Sequence, residues 1–157
     1  MIFNENFVDF IKLLNKYEVR YVLVGGWAVI IEGFSRNTSD IDFFIEAEEK
    51  NAQKILAVVK DFFGSTVGFQ KADFLKDDNI LMLGRPPFRI DLLTSISGVD
   101  FEEVFENSKV YKDDDLSIRC IRINELIKNK KASGRLKDQL DVEMLEKILK
   151  KRNNKKE

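Results

Sequence analysis

The feature that most constrains the fold is a pair of aspartates, Asp40 and Asp42, within an otherwise apolar segment. Successive side chains of a β-strand point to opposite faces, so residues two apart share a face. If residues 39–45 form a strand, Asp40 and Asp42 project together, while Ile41 and Phe43 face the other side. Two carboxylates held this close repel each other. A divalent cation such as Mg²⁺, which prefers carboxylate oxygens, would satisfy both.

A third aspartate, Asp91, has the same character, because it lies between Ile90 and the pair Leu92-Leu93. A carboxylate inside an apolar strand needs polar or charged partners. A solvent-exposed strand end or an acidic turn is the alternative for each acid taken alone. Three acids in two apolar segments favour one shared site over three separate turns.

A double glycine, Gly25-Gly26, separates the apolar segment 21–24 from a predicted helix over residues 27–32. Glycines between a strand and a helix let the backbone approach a ligand, and the helix N-terminus offers free N–H groups. This pattern predicts a phosphate-binding turn, although a Gly-Gly pair alone is more often only a tight turn. We expect Trp27 to belong to the core rather than to stack on a nucleobase.

The composition excludes several kinds of chemistry. The chain contains no histidine and only one cysteine, Cys120, which excludes Ser-His-Asp and Cys-His catalysis and His-ligated zinc. A single cysteine fits a reducing compartment, so we expect a cytoplasmic protein. No apolar run reaches membrane-spanning length, so we expect no membrane partner. The net charge of −1 does not indicate a nucleic-acid partner.

A chain of 157 residues predicts one domain, residues 1–150, followed by a charged flexible tail, residues 151–157. The expected fold class is α/β (α+β), a mixed β-sheet flanked by helices with the site at one sheet edge. The apolar side chains of the last helix, Leu140 among them, are predicted to face inward. Helices are predicted at residues 5–16, 27–32, 48–63, 100–107, 125–131 and 136–150, and strands at 20–24, 39–45, 66–69, 79–83, 88–93 and 116–122.

Together, the runs 21–26 (Tyr-Val-Leu-Val-Gly-Gly) and 36–42 (Arg-Asn-Thr-Ser-Asp-Ile-Asp) resemble the signature of the DNA polymerase β-like nucleotidyltransferase superfamily. Within it, the chain is most similar to small bacterial members grouped with minimal nucleotidyltransferases and abortive-infection toxins. Residues 129–138, followed by Asp141, are similar to the closing helical motif of those proteins. The resemblance covers nearly the whole chain.

The resemblance implies transfer of a nucleoside monophosphate from an NTP to an acceptor, with Mg²⁺ or Mn²⁺ as cofactor. Asp40, Asp42 and Asp91 would be both the catalytic residues and the ligands of two metal ions, and Asp91 would help to deprotonate the acceptor. One departure is Gly26, where many members carry serine. The second glycine keeps the backbone donors but lacks a hydroxyl that could contact phosphate.

The resemblance also implies a set of nucleotide-binding residues. A solvated surface charge is the alternative for each cation of this set, and it is the expectation for Lys137. We expect Asp138 to act as an early-turn helix acid or to pair with Arg135, rather than to bind metal. The nucleotide-binding residues are predicted to be Gly25, Gly26, Arg36, Lys130 and Arg135.

The acceptor stays open at this stage among tRNA, a protein and a small hydroxylated molecule. The alternative to an enzyme is an inert nucleotidyltransferase-fold module, of a binding or antitoxin-like kind. The three acids argue against this, because a degenerate module usually loses at least one metal ligand. The small size leaves room for a homodimer that shares the site, or for a cognate partner protein. An RNA acceptor would require a basic patch, for which the chain offers Lys128, Lys130, Lys131, Arg135 and Lys137.

Overall fold

The computed structural model describes residues 2–155. Its helices are α1 (Glu5–Lys16), α2 (Gly25–Glu32), α3 (Glu49–Phe63), α4 (Phe101–Glu106), α5 (Ile123–Ser133) and α6 (Leu136–Lys155), with a short 3₁₀ helix at Lys71–Phe74. Its strands are β1 (Tyr21–Val24), β2 (Ile41–Ile45), β3 (Ile80–Leu83), β4 (Ile90–Leu93), β5 (Lys109–Asp113) and β6 (Leu116–Cys120). The strands form one six-stranded mixed sheet in the order β3-β4-β2-β1-β6-β5, which confirms the predicted fold class.

The register of the sheet lines up one row of residues across four strands. Strand β2 runs antiparallel to β1, with Asp42 opposite Val24, and parallel to β4, with Asp42 opposite Asp91. Strand β3 runs antiparallel to β4, with Met82 opposite Asp91. Side chains that face each other across paired strands point to the same side of the sheet. The row therefore places Asp42 and Asp91 side by side, with Met82 next to them on the edge strand.

Helices cover both faces of the sheet. Helices α1 and α3 pack on the face that carries Phe43, where the rings of Phe10 and Phe43 lie 5.9 Å apart. Helices α2, α4, α5 and α6 pack on the opposite face, which carries Phe44. Because Phe43 and Phe44 are consecutive strand residues and both are buried, β2 is a central strand. Asp42 lies two residues before Phe44, so it faces the second helical layer.

Local signals in the sequence fix the ends of the long helices. The side chain of Asn4 accepts a hydrogen bond from the Phe7 N–H at 3.0 Å, which caps the start of α1. Glu48 caps α3 in the same way through the N–H groups of Lys50 and Asn51. Helix α3 ends at Gly64, which adopts the left-handed conformation typical of a C-terminal glycine.

One predicted strand is absent, and one strand of the sheet was not predicted. Residues 66–69 form a turn, in which the Phe69 N–H donates to the Thr66 carbonyl at 2.9 Å and Val67 has a positive φ of 46°. A left-handed residue cannot continue an extended strand. Strand β5 was not predicted, because the run Lys-Val-Tyr-Lys-Asp carries little apolar signal. It forms by pairing along its whole length with β6.

The last helix continues past its predicted end at residue 150 and reaches Lys155. An ion pair supports the extension, because Arg152 Nη1 lies 2.7 Å from Glu32 Oε2 at the end of α2. No helix within residues 2–155 has the length and apolar character needed to cross a membrane.

The predicted inward face of α6 was also wrong in its first turns. Leu140 is 57% exposed, whereas Asp138, Asp141 and Leu145 are buried. These three residues are spaced along one helical face, so the start of α6 turns acids rather than leucine toward the protein. The cations that meet these acids belong to the functional site.

Candidate active site

The three predicted aspartates meet at one cavity of about 870 Å³. Asp42 and Asp91 lie opposite each other on β2 and β4. Asp40 precedes β2, which begins at Ile41 rather than at residue 39 as predicted, but its side chain still lines the same cavity. The structure therefore brings all three carboxylates together on the face of the sheet that carries the second helical layer.

Arg89 joins two of these carboxylates, and sequence reasoning missed it. Its Nη2 lies 2.6 Å from Asp40 Oδ2 and 3.0 Å from Asp91 Oδ2, while its Nε donates to Asp91 Oδ1 at 2.9 Å. Its side chain is 28% exposed. The spacing of Arg89 and Asp91 was a usable signal, because residues two apart share a strand face. The guanidinium supplies a positive charge between the acids.

One guanidinium does not balance three acids. The pKa of Asp42 is raised to about 7 by its burial, by the charges of Asp91 and Asp40, and by a hydrogen bond with Asp91, while Lys130 acts in the opposite direction. Burial and the two neighbouring acids together therefore disfavour the charged form of Asp42.

The donors suit a hard divalent cation such as Mg²⁺ or Mn²⁺. Within residues 2–155, however, no cluster of three acidic, histidine or cysteine side chains is already arranged around a metal position. Arg89 spans Asp40 and Asp91 instead. The three carboxylates are suitable ligands for a divalent metal. For all three to bind the same metal ion, Arg89 would have to move away from Asp40 and Asp91.

The double glycine brings the start of α2 against these acids. The helix begins at Gly25 itself, two residues earlier than predicted, and no side chain caps its N-terminus. Gly25 has a φ of 69°, and a Cβ at this position would lie 2.1 Å from Asp42 Oδ2. Only glycine fits here without moving the carboxylate. The first N–H groups of α2 and the Asp42 carboxylate therefore border the same cavity.

A threonine hydroxyl, that of Thr38, lies beside Gly26. A Cβ on Gly26 would come within 2.6 Å of Thr38 Oγ1 and 3.5 Å of Arg36 Nη1. Both residues belong to the loop that precedes β2. Thr38 therefore places a hydroxyl close to the position that a serine side chain would occupy. The sequence carried no signal for this exchange, because the contact depends on how the loop folds back.

The predicted phosphate-binding cations Lys130 and Arg36 line the cavity, but both are held by acids of α6. Lys130 is 7% exposed, and its Nζ lies 3.1 Å from both Asp138 Oδ1 and Asp141 Oδ2. Arg36 Nη1 lies 2.8 Å from Asp141 Oδ2. Asp141, which is 3% exposed, thus joins a cation of α5 to a cation of the loop after α2. This network fixes where the two cations stand.

Arg135 lines the mouth of the cavity and pairs with Asp138, as predicted, through an Nε–Oδ2 contact of 3.0 Å. Burial alone would raise the pKa of Asp138, but hydrogen bonds from Ser133 and Lys130 and the charges of Lys130 and Arg135 outweigh it and hold that pKa below its usual value. Asp138 is therefore a stable anion that anchors the corner between α5 and α6. Lys137 also lines the cavity.

Trp27 packs against the core, as expected, with its ring 4.8 Å from that of Phe3. It also lines the cavity, and its buried Nε1 has no hydrogen-bond partner among residues 2–155. Its indole is thus a wall of the site as well as a part of the core.

The molecule is thus an α/β protein whose mixed sheet carries three acids beside an uncapped, glycine-initiated helix, an arrangement that suits phosphate. A family model described as "Nucleotidyltransferase of unknown function (DUF6036)" matches residues 5–154. The chain belongs to this nucleotidyltransferase family, which confirms the resemblance seen in the sequence.

A solved structure similar to this one is the crystal structure of the lincosamide antibiotic adenylyltransferase LnuA with lincomycin bound. The two share 19% sequence identity over 94% of this chain and 98% of that chain, with a TM-score of 0.55. At this identity the likeness shows the nucleotidyltransferase fold. A search of curated protein sequences finds no significant match.

Proposed function

We propose that this protein transfers a nucleoside monophosphate from an NTP to an acceptor hydroxyl, with a divalent metal held by Asp40, Asp42 and Asp91. The observation that carries the proposal is the pairing of Asp42 with Asp91 in register, next to the start of α2 at Gly25. It places a negative site that needs a cation directly beside free backbone donors that suit phosphate.

The reaction is an in-line displacement at the α-phosphorus. The acceptor oxygen attacks the α-phosphorus and forms a new P–O bond, while the bond from that phosphorus to the bridging oxygen breaks and pyrophosphate leaves. The proton of the acceptor hydroxyl passes to Asp91. A bound divalent metal would stabilise the charge on the attacking and leaving oxygens. The protein's contribution is mainly to position the reactants and the charges.

The chain's own residues divide this work between them. The N–H groups at the start of α2 and the hydroxyl of Thr38 would receive phosphate oxygens. Lys130 would offset their charge, since Asp138 and Asp141 already hold it at the cavity wall. Arg89 occupies both oxygens of Asp91, so Asp91 would accept a proton only after the guanidinium has moved away.

The acceptor is open among a small molecule, tRNA and a protein. The structural relative is an adenylyltransferase with a bound antibiotic, which supports an adenylyl donor and a small-molecule acceptor. An inert module remains the alternative function, and the presence of all three acids in one cavity speaks against it.

The test is calorimetric binding of each of the four NTPs with Mg²⁺, which needs no knowledge of the acceptor. We compare the wild type, the double variant Asp40→Asn, Asp42→Asn, and Asp9→Asn, which changes an exposed carboxylate on α1. Metal-dependent binding that is lost only in the double variant would support the proposal and identify the base. If a well-folded wild type binds none of the four NTPs, the enzyme proposal fails and the inert module takes its place.

A further inference from the structure

We infer that the exposed face of β3 is the acceptor-binding wall, and that the acceptor is a small hydroxylated molecule with an apolar face rather than RNA. The inference rests on the proposed function, because it takes the three carboxylates as the reaction centre. It adds where the acceptor binds and what kind of molecule it is.

The first observation is the order of chemical groups across the sheet. The row that contains Asp42 and Asp91 continues to Met82 on β3. Two residues further along β4, Leu93 pairs with Ile80. Gly25 and its backbone donors lie at the other end of this row, beside Asp42. If the phosphates bind at the glycine end and Asp91 takes the acceptor proton, the acceptor lies on the side of Asp91 away from Gly25. That side is β3.

The second observation is that β3 turns apolar side chains outward at this place. Its burial alternates, so that Leu81 and Leu83 enter the core while Ile80 and Met82 are 52% and 56% exposed. Both exposed side chains line the cavity that contains the acids, together with Pro87. Exposed apolar side chains clustered in a cavity are typical of a binding wall, whereas isolated ones need no explanation.

The third observation concerns RNA. Binding an RNA backbone requires cations that are free to neutralise several phosphates. Four of the five cations that could form a basic patch are instead held by acids of this chain: Lys128 by Glu103, Lys130 by Asp138 and Asp141, Lys131 by Glu146, and Arg135 by Asp138. Acids of this chain therefore offset part of the charge of the predicted basic patch, and the wall nearest Asp91 is apolar.

These observations together fix the chemical character of the acceptor. It needs a hydroxyl that reaches the reaction centre and an apolar surface that covers Ile80 and Met82. The cavity of about 870 Å³ lies near the upper end of the range for ligand pockets, about 300–1,000 Å³. Under the proposed function, this cavity holds the nucleotide and the acceptor together.

The experiment is a ¹³C-methyl NMR titration of the full chain, in which Ile80 and Met82 report on the wall. The probes are a panel of small hydroxylated compounds with an apolar face and, separately, bulk tRNA. Each titration is repeated with Mg²⁺ and the α,β-methylene analogues of the four NTPs, which cannot react. The variants are Met82→Ser and its matched control Val110→Ser, since Val110 is 50% exposed on the opposite edge strand.

We expect small-molecule hits that shift the Ile80 and Met82 resonances and still bind beside the nucleotide analogue. Met82→Ser should weaken them by about tenfold, the effect of leaving roughly one apolar side chain uncovered, whereas Val110→Ser should not. tRNA should leave these resonances in place.

Four results would overturn the inference. The first is that no small-molecule hit shifts the β3 resonances. The second is that the hits compete with the nucleotide analogue, which would make β3 the base-binding wall. The third is that tRNA shifts the β3 resonances. The fourth is that Met82→Ser changes the oligomeric state, which would make β3 a protein interface. Failure of every nucleotide analogue to bind is a separate result, because it overturns the proposed function, while the small-molecule titration alone still tests whether β3 is a binding wall.

Discussion

Replacing Arg89 by methionine should lower the free energy of unfolding of the metal-free protein and raise its affinity for a divalent cation. Arg89 is the positive charge that lies between Asp40 and Asp91, at 2.6 and 2.9 Å. Methionine keeps an unbranched stem of similar course but removes the charge. Without a guanidinium or a metal, only the more distant charge of Lys130 would offset the repulsion among the three carboxylates.

The size of the effect follows from the exposure of Arg89. Breaking a buried ion pair costs about 3–5 kcal/mol, and breaking an exposed one costs about 0–1 kcal/mol. Because the Arg89 side chain is 28% exposed, we place its contribution between these limits, at about 2 kcal/mol. The wild type must give up this contribution when a metal displaces the guanidinium. The variant has already lost it, so its metal affinity should rise by about 30-fold.

The assay is Mn²⁺ binding by calorimetry, together with urea unfolding in the absence and the presence of saturating Mn²⁺. The unfolding free energies of the two proteins should differ without metal and converge with it. Arg85→Met is the matched control, because Arg85 is an exposed arginine of the same turn. If Arg89→Met binds Mn²⁺ no more tightly than the wild type, the guanidinium does not compete with the metal, and this account of the site is wrong.

Three further predictions concern the same site. The folded-state pKa of Asp42 is raised from 3.8 to about 7, so this carboxyl destabilises the fold progressively as pH rises between those values. Asp42→Asn should therefore exceed the metal-free wild type in stability by up to about 4 kcal/mol at pH 8, and urea unfolding at pH 4 should show the gap nearly closed. Gly25→Ala should displace the Asp42 carboxylate, because its Cβ would lie 2.1 Å from Oδ2; calorimetry should show NTP binding lost in a protein that circular dichroism shows to be folded. Gly26→Ser should lower the free energy of unfolding by about 1–3 kcal/mol through its clash with Thr38. Adding Thr38→Ala should recover most of that loss in thermal unfolding, whereas additive losses would contradict the idea that the Thr38 hydroxyl takes the place of a serine hydroxyl at position 26.

The sequence predicts the parts of this molecule that depend on local patterns. Strand alternation places Asp42 on the face opposite Phe43, and the glycine pair marks the turn before α2. Both inferences require only the two-residue period of a strand and the conformational freedom of glycine. The spacing of the three acids within apolar strands was enough to indicate a common site.

The rest depends on contacts between distant segments, which no local pattern reveals. Leu140 was expected to face inward because it is apolar. Lys130 and Arg36 lie beneath α6, however, so the acids Asp138 and Asp141 take the inward positions and pair with them. Strand β5 exists because β6 offers it a partner, not because of its own composition. Arg89 was overlooked because an arginine is usually a solvated surface charge, even within a predicted strand.

The ion pairs of α6 have a consequence for how the protein can be handled. Arg152 joins the C-terminal turns of α6 to Glu32, and Asp141 joins its early turns to Arg36. Ion pairs at the start and at the end of α6 therefore contact both ends of the segment from Glu32 to Arg36, which leads from α2 toward the acids. A tag or fusion partner that pulls on the C-terminus would act on the loop between α2 and β2, which carries Arg36 and Thr38.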